Sequence, residues 1–423
     1  DELRRRVREL NASKADLILD LVETADKTKL KKDVCYGCID GCVRATYEGP
    51  EGQSGKFFCQ PSYFYQTRAQ RYYGQANDVP FQAAKLCDDY GMDTRAVETM
   101  IMWLSRCHKS EILTEERTGI PLSTMGSIEF IDNLVRKIAL REGFGDVLAE
   151  GTVRAAEIVG QESDRFITDY MIRTGENSVY GPRLYLTTGI LYAMEPRMPI
   201  QQLHEISVQL VMWALTQMGL DKMYLTSEVL RAIAKRVWGS EIAADFSTVE
   251  GKALAAAKIQ DRQYAKECLI LCDFSWPIVH SLNTEDHMGD PTLESRICAA
   301  VTGRDVDEEG LYKIGRRVFN LQRAILAREG RKGREGDSLP EFEYTVPLKG
   351  DFGNPNCMVP GKDGEPFYRK GMVVDRGEFE KMKDEYYETR GWDVPTGLQR
   401  QAELEELGLG DVAKALKTEG LLA

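Results

Sequence analysis

Three cysteines within eight residues, in the run CYGCIDGC, constrain this chain more than any other feature of its sequence. Cys35, Cys38 and Cys42 have the spacing C-x2-C-x3-C, which lets three sulfur atoms converge on one point. A cubane iron–sulfur cluster has four thiolate ligands, so a fourth cysteine must come from elsewhere in the chain. The spacing therefore predicts a 4Fe-4S cluster at this loop.

Zinc is the main alternative to the cluster. Structural zinc sites usually combine two C-x2-C knuckles or add histidines at short spacing. The sequence has no second knuckle, and each of its four histidines stands alone: His108, His204, His280 and His287. A zinc site, and a loop whose cysteines are merely buried, are therefore the weaker interpretations.

The composition is that of a soluble globular protein. Hydrophobic residues make up 43% of the 423 residues, and the formal net charge of −12 argues against a nucleic-acid partner. No apolar run is long enough to span a membrane, and the first residues, DELRRRVREL, lack the apolar core of a signal peptide. Ten cysteines are too few for a disulfide scaffold in a chain of this length, so we expect a reducing, cytoplasmic location.

Helical periodicity covers most of the chain and predicts a mainly α fold. In SIEFIDNLVRKIALREG the apolar residues recur at helical spacing, and Gly143 is the expected left-handed cap. Short β-like runs at 43–48, 55–59, 341–346 and 372–375 are too few for a doubly wound sheet. The other helical patterns lie at about 3–26, 80–90, 94–109, 145–159, 202–217, 224–237, 250–270, 307–328 and 376–389.

A domain boundary is expected near residue 170, where DRFITDYMIRTGENS interrupts the helical pattern. This gives a first helical domain over 1–170, which carries the cysteine loop, and a second over 171–423. The glycine-rich, charged stretch REGRKGREGDSLP at 328–340 is predicted to be a solvated connector.

From about residue 33 to its end, the chain resembles the tungsten-containing aldehyde ferredoxin oxidoreductases. CYGCIDGC is similar to that family's cluster loop, and VYGPRLYLTTGILYA at 179–193 resembles its Y-D-P-R…G-x-G-L-x-Y-A-T stretch. The resemblance implies two helical domains of that type, with Cys272 in ECLILCDFSWP as the fourth cluster ligand. The family's β-rich N-terminal domain has no counterpart here, so we expect the chain to be the C-terminal part of a longer polypeptide and to be inactive by itself.

Two segments resemble the family's pterin contacts. LCDDYGMDT is similar to D-x-x-G-L-D-T, although its residues would also suit a plain helix–glycine–helix corner with Asp93 or Thr94 as the helix cap. The second segment, from Glu267 to Cys272, keeps the acid as glutamate but lacks the glycine. The residues that the resemblance assigns to cofactor binding are Asp88, Gly91, Met92, Asp93, Thr94, Glu267 and Leu271.

The resemblance points less clearly to catalytic residues. Many family members carry a glutamate in E-G-P-E-Y-E after the cluster loop, whereas this chain has FFCQPSYFYQ, which contains no carboxylate. His204 lies about three residues after the position expected for a catalytic histidine, and it is the best remaining general base. Tyr63, Tyr180 and Arg183 are candidate polar walls of the site.

Taken together, the resemblance implies an oxidoreductase whose full-length parent carries a tungsten or molybdenum bis-pterin centre. We expect it to oxidise an aldehyde to a carboxylic acid and to pass electrons through the 4Fe-4S cluster to a ferredoxin-like carrier. One alternative is a catalytic subunit like that of benzoyl-CoA reductase, which reduces an aromatic thioester. Another is a cofactor-free or zinc-stabilised structural fragment. The sequence leaves open whether the protein forms a homodimer.

Overall fold

The computed structural model describes residues 30–36, 44–49, 52, 54–57, 61, 64–220, 223–272, 276, 278–351 and 354–423. The helix predicted over about 3–26 lies outside these residues. The chain divides into two compact units, of which the first ends at Ser178 and the second begins at Val179.

The first unit combines a small antiparallel sheet with helices. The strands are β1 (Leu30–Lys32), β2 (Ala45–Glu48) and β3 (Ser54–Phe57), in that spatial order, with Leu30 opposite Tyr47 and Ala45 opposite Phe57. The helices are α1 (Gln66–Tyr73), α2 (Val79–Asp89), α3 (Thr94–Lys109), α4 (Glu115–Thr118), α5 (Ile128–Leu140), α6 (Phe144–Leu148) and α7 (Thr152–Val159).

Aromatic rings join the sheet to α2. The ring of Phe81 stacks on Tyr47 with centroids 4.4 Å apart and meets Phe57 edge-on at 5.3 Å. All three side chains are buried, and such aromatic pairs contribute stability beyond the area that they bury. The position of the sheet in this unit is therefore tied to the helix that precedes the Asp88–Thr94 segment.

The end of α5 differs from the prediction. Arg141, at φ 54°, takes the left-handed cap position, while Gly143 at φ 57° begins α6. The reason lies at Gly145, where a Cβ atom would come within 2.1 Å of the Lys137 carbonyl oxygen. Because α6 packs this tightly against α5, the chain must turn two residues before Gly143.

The second unit is almost entirely helical. A π-helical turn, Ala234–Trp238, extends α10, and the strands β4 (Met358–Pro360) and β5 (Pro366–Tyr368) form an antiparallel pair. The helices are α8 (Thr188–Met194), α9 (Ile200–Gln217), α10 (Ser227–Ile233), α11 (Lys252–Cys268), α12 (Leu293–Thr302), α13 (Glu308–Arg328), α14 (Gly333–Gly336), α15 (Phe342–Thr345), α16 (Arg376–Arg390), α17 (Gln401–Glu406) and α18 (Gly410–Thr418).

Helix α11 lies at the centre of this unit and packs against α8, α9, α13 and α16. Its approach to α13 is closest at Gly315, where an added Cβ would lie 1.8 Å from the carbonyl oxygen of Asp261. A residue without a side chain is required where two helix backbones approach this closely. Small residues on α11, including Ala255 and Ala256, are buried along the same helix.

Two of the predicted strands are wrong. The run at 341–346 contains the short helix α15, Phe342–Thr345, in which the neighbouring residues Phe342 and Glu343 are both buried. Residues 372–375 form no strand, because Asp375 instead accepts a hydrogen bond from the Glu378 amide and so caps α16. The general prediction of a mainly α fold with few short strands is confirmed.

The stretch at 328–340 is not the solvated connector that the sequence predicts. Asp337 is fully buried and binds both nitrogens of the Arg323 guanidinium, at 2.7 and 2.6 Å. Arg331 and the Tyr387 hydroxyl also donate to the same carboxylate, at 2.8 and 2.7 Å. The charges of this stretch therefore hold α13 and α16 together.

None of the helices in the described part of the chain combines the length and the apolar character needed to cross a membrane.

Replacing Asp337 by alanine should lower the free energy of unfolding by about 3–5 kcal/mol, because two buried guanidinium groups would lose their counter-charge. Although burial opposes ionisation, those guanidinium groups hold the pKa of the Asp337 carboxyl below its usual value. Glu335→Ala is the matched control, since the Glu335 side chain is 77% exposed and should cost less than about 0.5 kcal/mol. Equal denaturant midpoints for the two variants would contradict this role of Asp337.

Glu294 on α12 should make stability depend on pH. Its carboxyl is buried and neither oxygen has a hydrogen-bond donor in the part of the chain described, and burial raises its pKa from 4.5 to about 7. Between about pH 4.5 and 7 the unfolded chain releases this proton while the folded chain retains it, so the folded state loses stability as the pH rises. We expect Glu294→Gln to match the parent near pH 5 and to be more stable by about 3 kcal/mol at pH 8.

The measurement is urea unfolding at both pH values, with the exposed Glu309→Gln as the control. A stability difference between Glu294→Gln and the parent that does not change with pH would contradict the assignment.

Candidate functional site

The cysteine loop is the connection between β1 and β2. These strands pair up to Lys32 and Ala45, and the Asp33 amide donates to the Arg44 carbonyl at 2.9 Å, which closes the base of the loop. Cys35 is half-buried and forms no disulfide. Lys56 of β3 forms an ion pair with Asp33 at 2.9 Å, which adds a contact at the base of the loop. Cys38 and Cys42 lie outside the described residues.

The segment 88–94 forms a tight corner between α2 and α3, which we call the first corner. Gly91 has φ 68°, and the Met92 amide donates to the Cys87 carbonyl at 2.8 Å, the closure that ends many helices at a left-handed residue. Asp93 caps α3 by accepting from the amides of Arg95 and Ala96. Its carboxylate is therefore engaged with the backbone, whereas Asp88 is exposed.

The first corner lies within electrostatic reach of the cysteine loop. Burial raises the pKa of the Asp88 carboxyl, and the positive charges of Lys85 and of Arg44 act in the opposite direction. Arg44 is the residue that closes the cysteine loop, and its charge also acts on Asp33. The charge of Arg44 therefore acts on a carboxylate of each of two motifs that are about fifty residues apart in sequence.

In the second unit, Tyr180 and His204 lie side by side. The ring of Tyr180 meets His204 edge-on at 5.7 Å and Tyr185 at 5.9 Å. Tyr180 has φ 51°, and its carbonyl accepts from the Thr188 hydroxyl at 2.8 Å, which fixes the start of the segment. Of the three predicted catalytic residues, the fold therefore places two in direct contact.

Arg183 has a different environment. It forms an ion pair with the buried carboxylate of Glu343 at 2.8 Å and donates to the carbonyl of Val346 at 2.9 Å. Its guanidinium also lies over the ring of Phe342, 5.2 Å from the centroid. Through these contacts Arg183 anchors α15. No sequence pattern indicated them, because Glu343 lies 160 residues away.

Residues 267–272 form what we call the second corner, at the end of α11. Glu267 accepts from Arg197 at 2.8 Å, a contact that the motifs in the sequence did not indicate. Ile270 has φ 55° and a side chain that is 93% exposed. A residue with a Cβ pays roughly 1–2 kcal/mol for this left-handed conformation. Cys272 follows two residues later and is exposed.

The other described cysteines differ in environment. Cys87, Cys107 and Cys357 are buried, and burial raises the pKa of all three thiols. Cys298 is half-buried, Cys268 is exposed, and Cys59 and Tyr63 lie outside the described residues. Across the positions that the structure describes, no three potential ligands from histidine, cysteine, aspartate and glutamate form a metal-binding group.

The family model for aldehyde ferredoxin oxidoreductase, domains 2 and 3, matches residues 6–409. The tungsten-containing aldehyde ferredoxin oxidoreductases of Pyrococcus abyssi and Pyrococcus furiosus are 26% and 25% identical, over 91% and 92% of this chain and 54% of each relative. The aliphatic sulfonate oxidoreductase, WOR-like subunit, of Pyrococcus furiosus is 24% identical over 94% of this chain and 54% of that protein.

The fold is also similar to a solved structure, the active site complex BamBC of benzoyl coenzyme A reductase in complex with 1,5-dienoyl-CoA. The TM-score is 0.59 at 19% identity, and the similarity covers 93% of this chain and 55% of that one. The chain thus spans about half the length of the relatives that it matches. With the family model matched over most of its residues, the chain belongs to the aldehyde ferredoxin oxidoreductase family and corresponds to domains 2 and 3 of that family.

Proposed function

We propose that this chain is the cluster-bearing part of a tungsten or molybdenum bis-pterin oxidoreductase that oxidises an aldehyde to a carboxylic acid. A ferredoxin-like carrier receives the electrons. The observation that supports the proposal is the first unit itself, in which the positive charge of Arg44, at the base of the cysteine loop, also acts on the Asp88 carboxyl of the first corner.

Four cysteines are the proposed cluster ligands: Cys35, Cys38, Cys42 and Cys272. The two ligands that the structure describes, Cys35 and Cys272, are suitable for a cluster, because both are accessible thiols that form no disulfide. The pairing of β1 with β2 supports the same assignment, since it brings the ends of a three-cysteine loop together. Thiolate ligands, their hydrogen bonds and their exposure to solvent set the reduction potential of such a cluster.

The first corner fits a pterin. A Cβ placed on Gly91 would meet no atom within 4 Å, so no described residue covers the backbone at this position. Asp88 supplies an exposed carboxylate, whereas Asp93 is engaged as a cap and Thr94 is buried. Contacts from Met92, Asp93 and Thr94 would therefore come mainly from the backbone, and Glu267 and Leu271 are the proposed contacts at the second corner.

Oxidation of an aldehyde to an acid takes up one water and releases two electrons and two protons. When bound, the tungsten bis-pterin centre supplies the two-electron step. His204 is the proposed general base, and its ring lies in edge-to-face contact with Tyr180. Arg183 supports this region indirectly through its ion pair with Glu343.

The alternative within the family is reduction of an aromatic thioester. The segment FFCQPSYFYQ favours it, because this segment lacks the carboxylate that many aldehyde-oxidising members carry after the cluster loop. Outside this chemistry, the chain would be a cofactor-free or zinc-stabilised helical module. The two experiments below separate these functions.

Cys272→Ala should lower the iron content of the full-length protein, purified without oxygen, well below the four irons of a complete cubane. Cys268→Ala is the matched control, since Cys268 is also exposed and lies one helical turn away. Iron and acid-labile sulfide per chain are the measured quantities. Unchanged iron in Cys272→Ala would exclude this residue as a ligand, and one zinc per chain without iron would exclude the cluster.

The full-length protein should oxidise aldehydes with an artificial or ferredoxin acceptor. Aromatic coenzyme A thioesters, supplied with a low-potential reductant, test the alternative in parallel. Turnover of the thioester without aldehyde oxidation would replace the first function by the second. Lack of both activities in protein that contains tungsten and iron would reject both substrate classes.

A further inference from the structure

Two of the four histidines of the chain contact one tyrosine in the second unit. The Tyr224 hydroxyl lies 2.5 Å from Nδ1 of His280, and the ring of His287 packs against the Tyr224 ring with centroids 4.8 Å apart. His280 is fully buried, whereas Tyr224 is 9% exposed. We call Tyr224 and His280 the tyrosine–histidine pair. None of these three residues belongs to the candidate site.

A tight hairpin supplies both histidines. His280 forms an antiparallel bridge with Met288. Beside this bridge, a Cβ added to Gly289 would lie 2.1 Å from the carbonyl oxygen of Ile278, so the two sides of the hairpin are in backbone contact. His287 has φ 56°, a left-handed conformation that costs a residue with a Cβ roughly 1–2 kcal/mol. The hairpin is therefore strained at the residue that packs on the tyrosine, and backbone strain is concentrated at functional sites.

The chemistry of the tyrosine–histidine pair suits proton transfer. A hydroxyl and an imidazole nitrogen at this distance share one proton, which can pass from oxygen to nitrogen without movement of either side chain. Because His280 is fully buried and Tyr224 is partly exposed, the hydroxyl is the route by which an external proton reaches the imidazole. His287 has a different role, since its Nδ1 donates to the Ser281 carbonyl at 3.3 Å and its ring only packs.

The pair lies within reach of a proposed ligand of the iron–sulfur cluster. The Trp276 amide donates to the Cys272 carbonyl at 3.1 Å, so the chain turns back on itself directly after this cysteine. The four residues from Trp276 to His280 span at most about 14 Å, which places His280 within about 20 Å of Cys272. The pair is therefore near the part of the second unit that the proposed function uses.

The proposed reaction releases two protons, and one general base accepts only one of them. His204 is the proposed acceptor of the proton that the attacking water loses. The second proton leaves with the aldehyde C–H bond, whose two electrons pass to the metal centre and on to the carrier. A second group that can accept a proton is therefore needed in each turnover.

We propose that Tyr224 and His280 form the second proton-transfer site of this reaction. The Tyr224 oxygen takes up the proton from the C–H bond while its own proton moves to Nδ1 of His280, which becomes an imidazolium. In the alternative reaction, reduction of an aromatic thioester, the same pair works in reverse and supplies a proton. The inference rests on the proposed function, because it assigns a further step of the same reaction.

The test uses the full-length protein and three substitutions. Tyr224→Phe removes the hydroxyl, whereas His280→Asn keeps an acceptor for that hydroxyl but cannot take up a proton. Tyr386→Phe is the matched control, since Tyr386 is also fully buried and its hydroxyl donates to Gln260. The readouts are kcat and KM with the substrate that the unsubstituted protein converts, the thermal unfolding midpoint, and the proton NMR signal of the shared proton.

We expect Tyr224→Phe and His280→Asn each to lower kcat about 100-fold, the contribution of one proton-transfer group, with KM changed less than about threefold. Tyr386→Phe should keep the kcat of the unsubstituted protein. A strongly deshielded proton signal should be present in the unsubstituted protein and in Tyr386→Phe, and absent in Tyr224→Phe. If Tyr224→Phe fails to fold, His280→Asn still decides the question.

The inference is wrong if His280→Asn keeps the kcat of the unsubstituted protein, because the hydrogen bond would then serve only the fold. It is also wrong if Tyr386→Phe loses as much activity as Tyr224→Phe. In both cases the unsubstituted protein is active and the proposed function stands. Unsubstituted protein that contains tungsten and iron but converts neither substrate would instead overturn the proposed function, and the inference with it.

Discussion

The crossing of α11 and α13 at Gly315 is the constraint on which the second unit depends. Because the two backbones are in contact there, the side chains around the crossing are closely packed. Their buried polar groups must therefore form hydrogen bonds within the protein. Glu195, fully buried, accepts from Gln260 at 2.6 Å and from Tyr264 at 2.5 Å, both on α11. Helix α11 is therefore held in register by directional bonds as well as by packing, and the second corner is its last turn.

The first unit is held together mainly by aromatic packing between its sheet and α2. Its sheet has only three short strands, and the ring contacts of Tyr47 and Phe57 with Phe81 pack this sheet against α2. One end of this assembly carries the cysteine loop and the other leads into the first corner. In the first unit, aromatic packing thus positions the cysteine loop and the first corner. In the second unit, buried hydrogen bonds position α11 and the corner that follows it.

Periodicity was sufficient to predict most long helices, because each presents one apolar face to a core. It failed where tertiary contacts decide. The run EFEYTV at 341–346 was predicted as a strand but contains the helix α15, and the pattern at 328–340 did not indicate that Asp337 would be buried. Within the site, spacing indicated the cysteine loop and the glycine of the first corner. The ion pairs of Arg183 and Arg197 could not be predicted, since their partners are 160 and 70 residues away.

The hairpin that carries the cysteines also bears on the order of assembly. Because β1 and β2 already hold the ends of the loop together, strand pairing and not metal binding offsets the entropic cost of closing the loop. Ligand binding would then act on a short closed segment in a unit whose aromatic core is complete without it. A scaffold of this kind would let the protein fold before the proposed cluster is inserted, so that folding and cluster delivery would be separate steps.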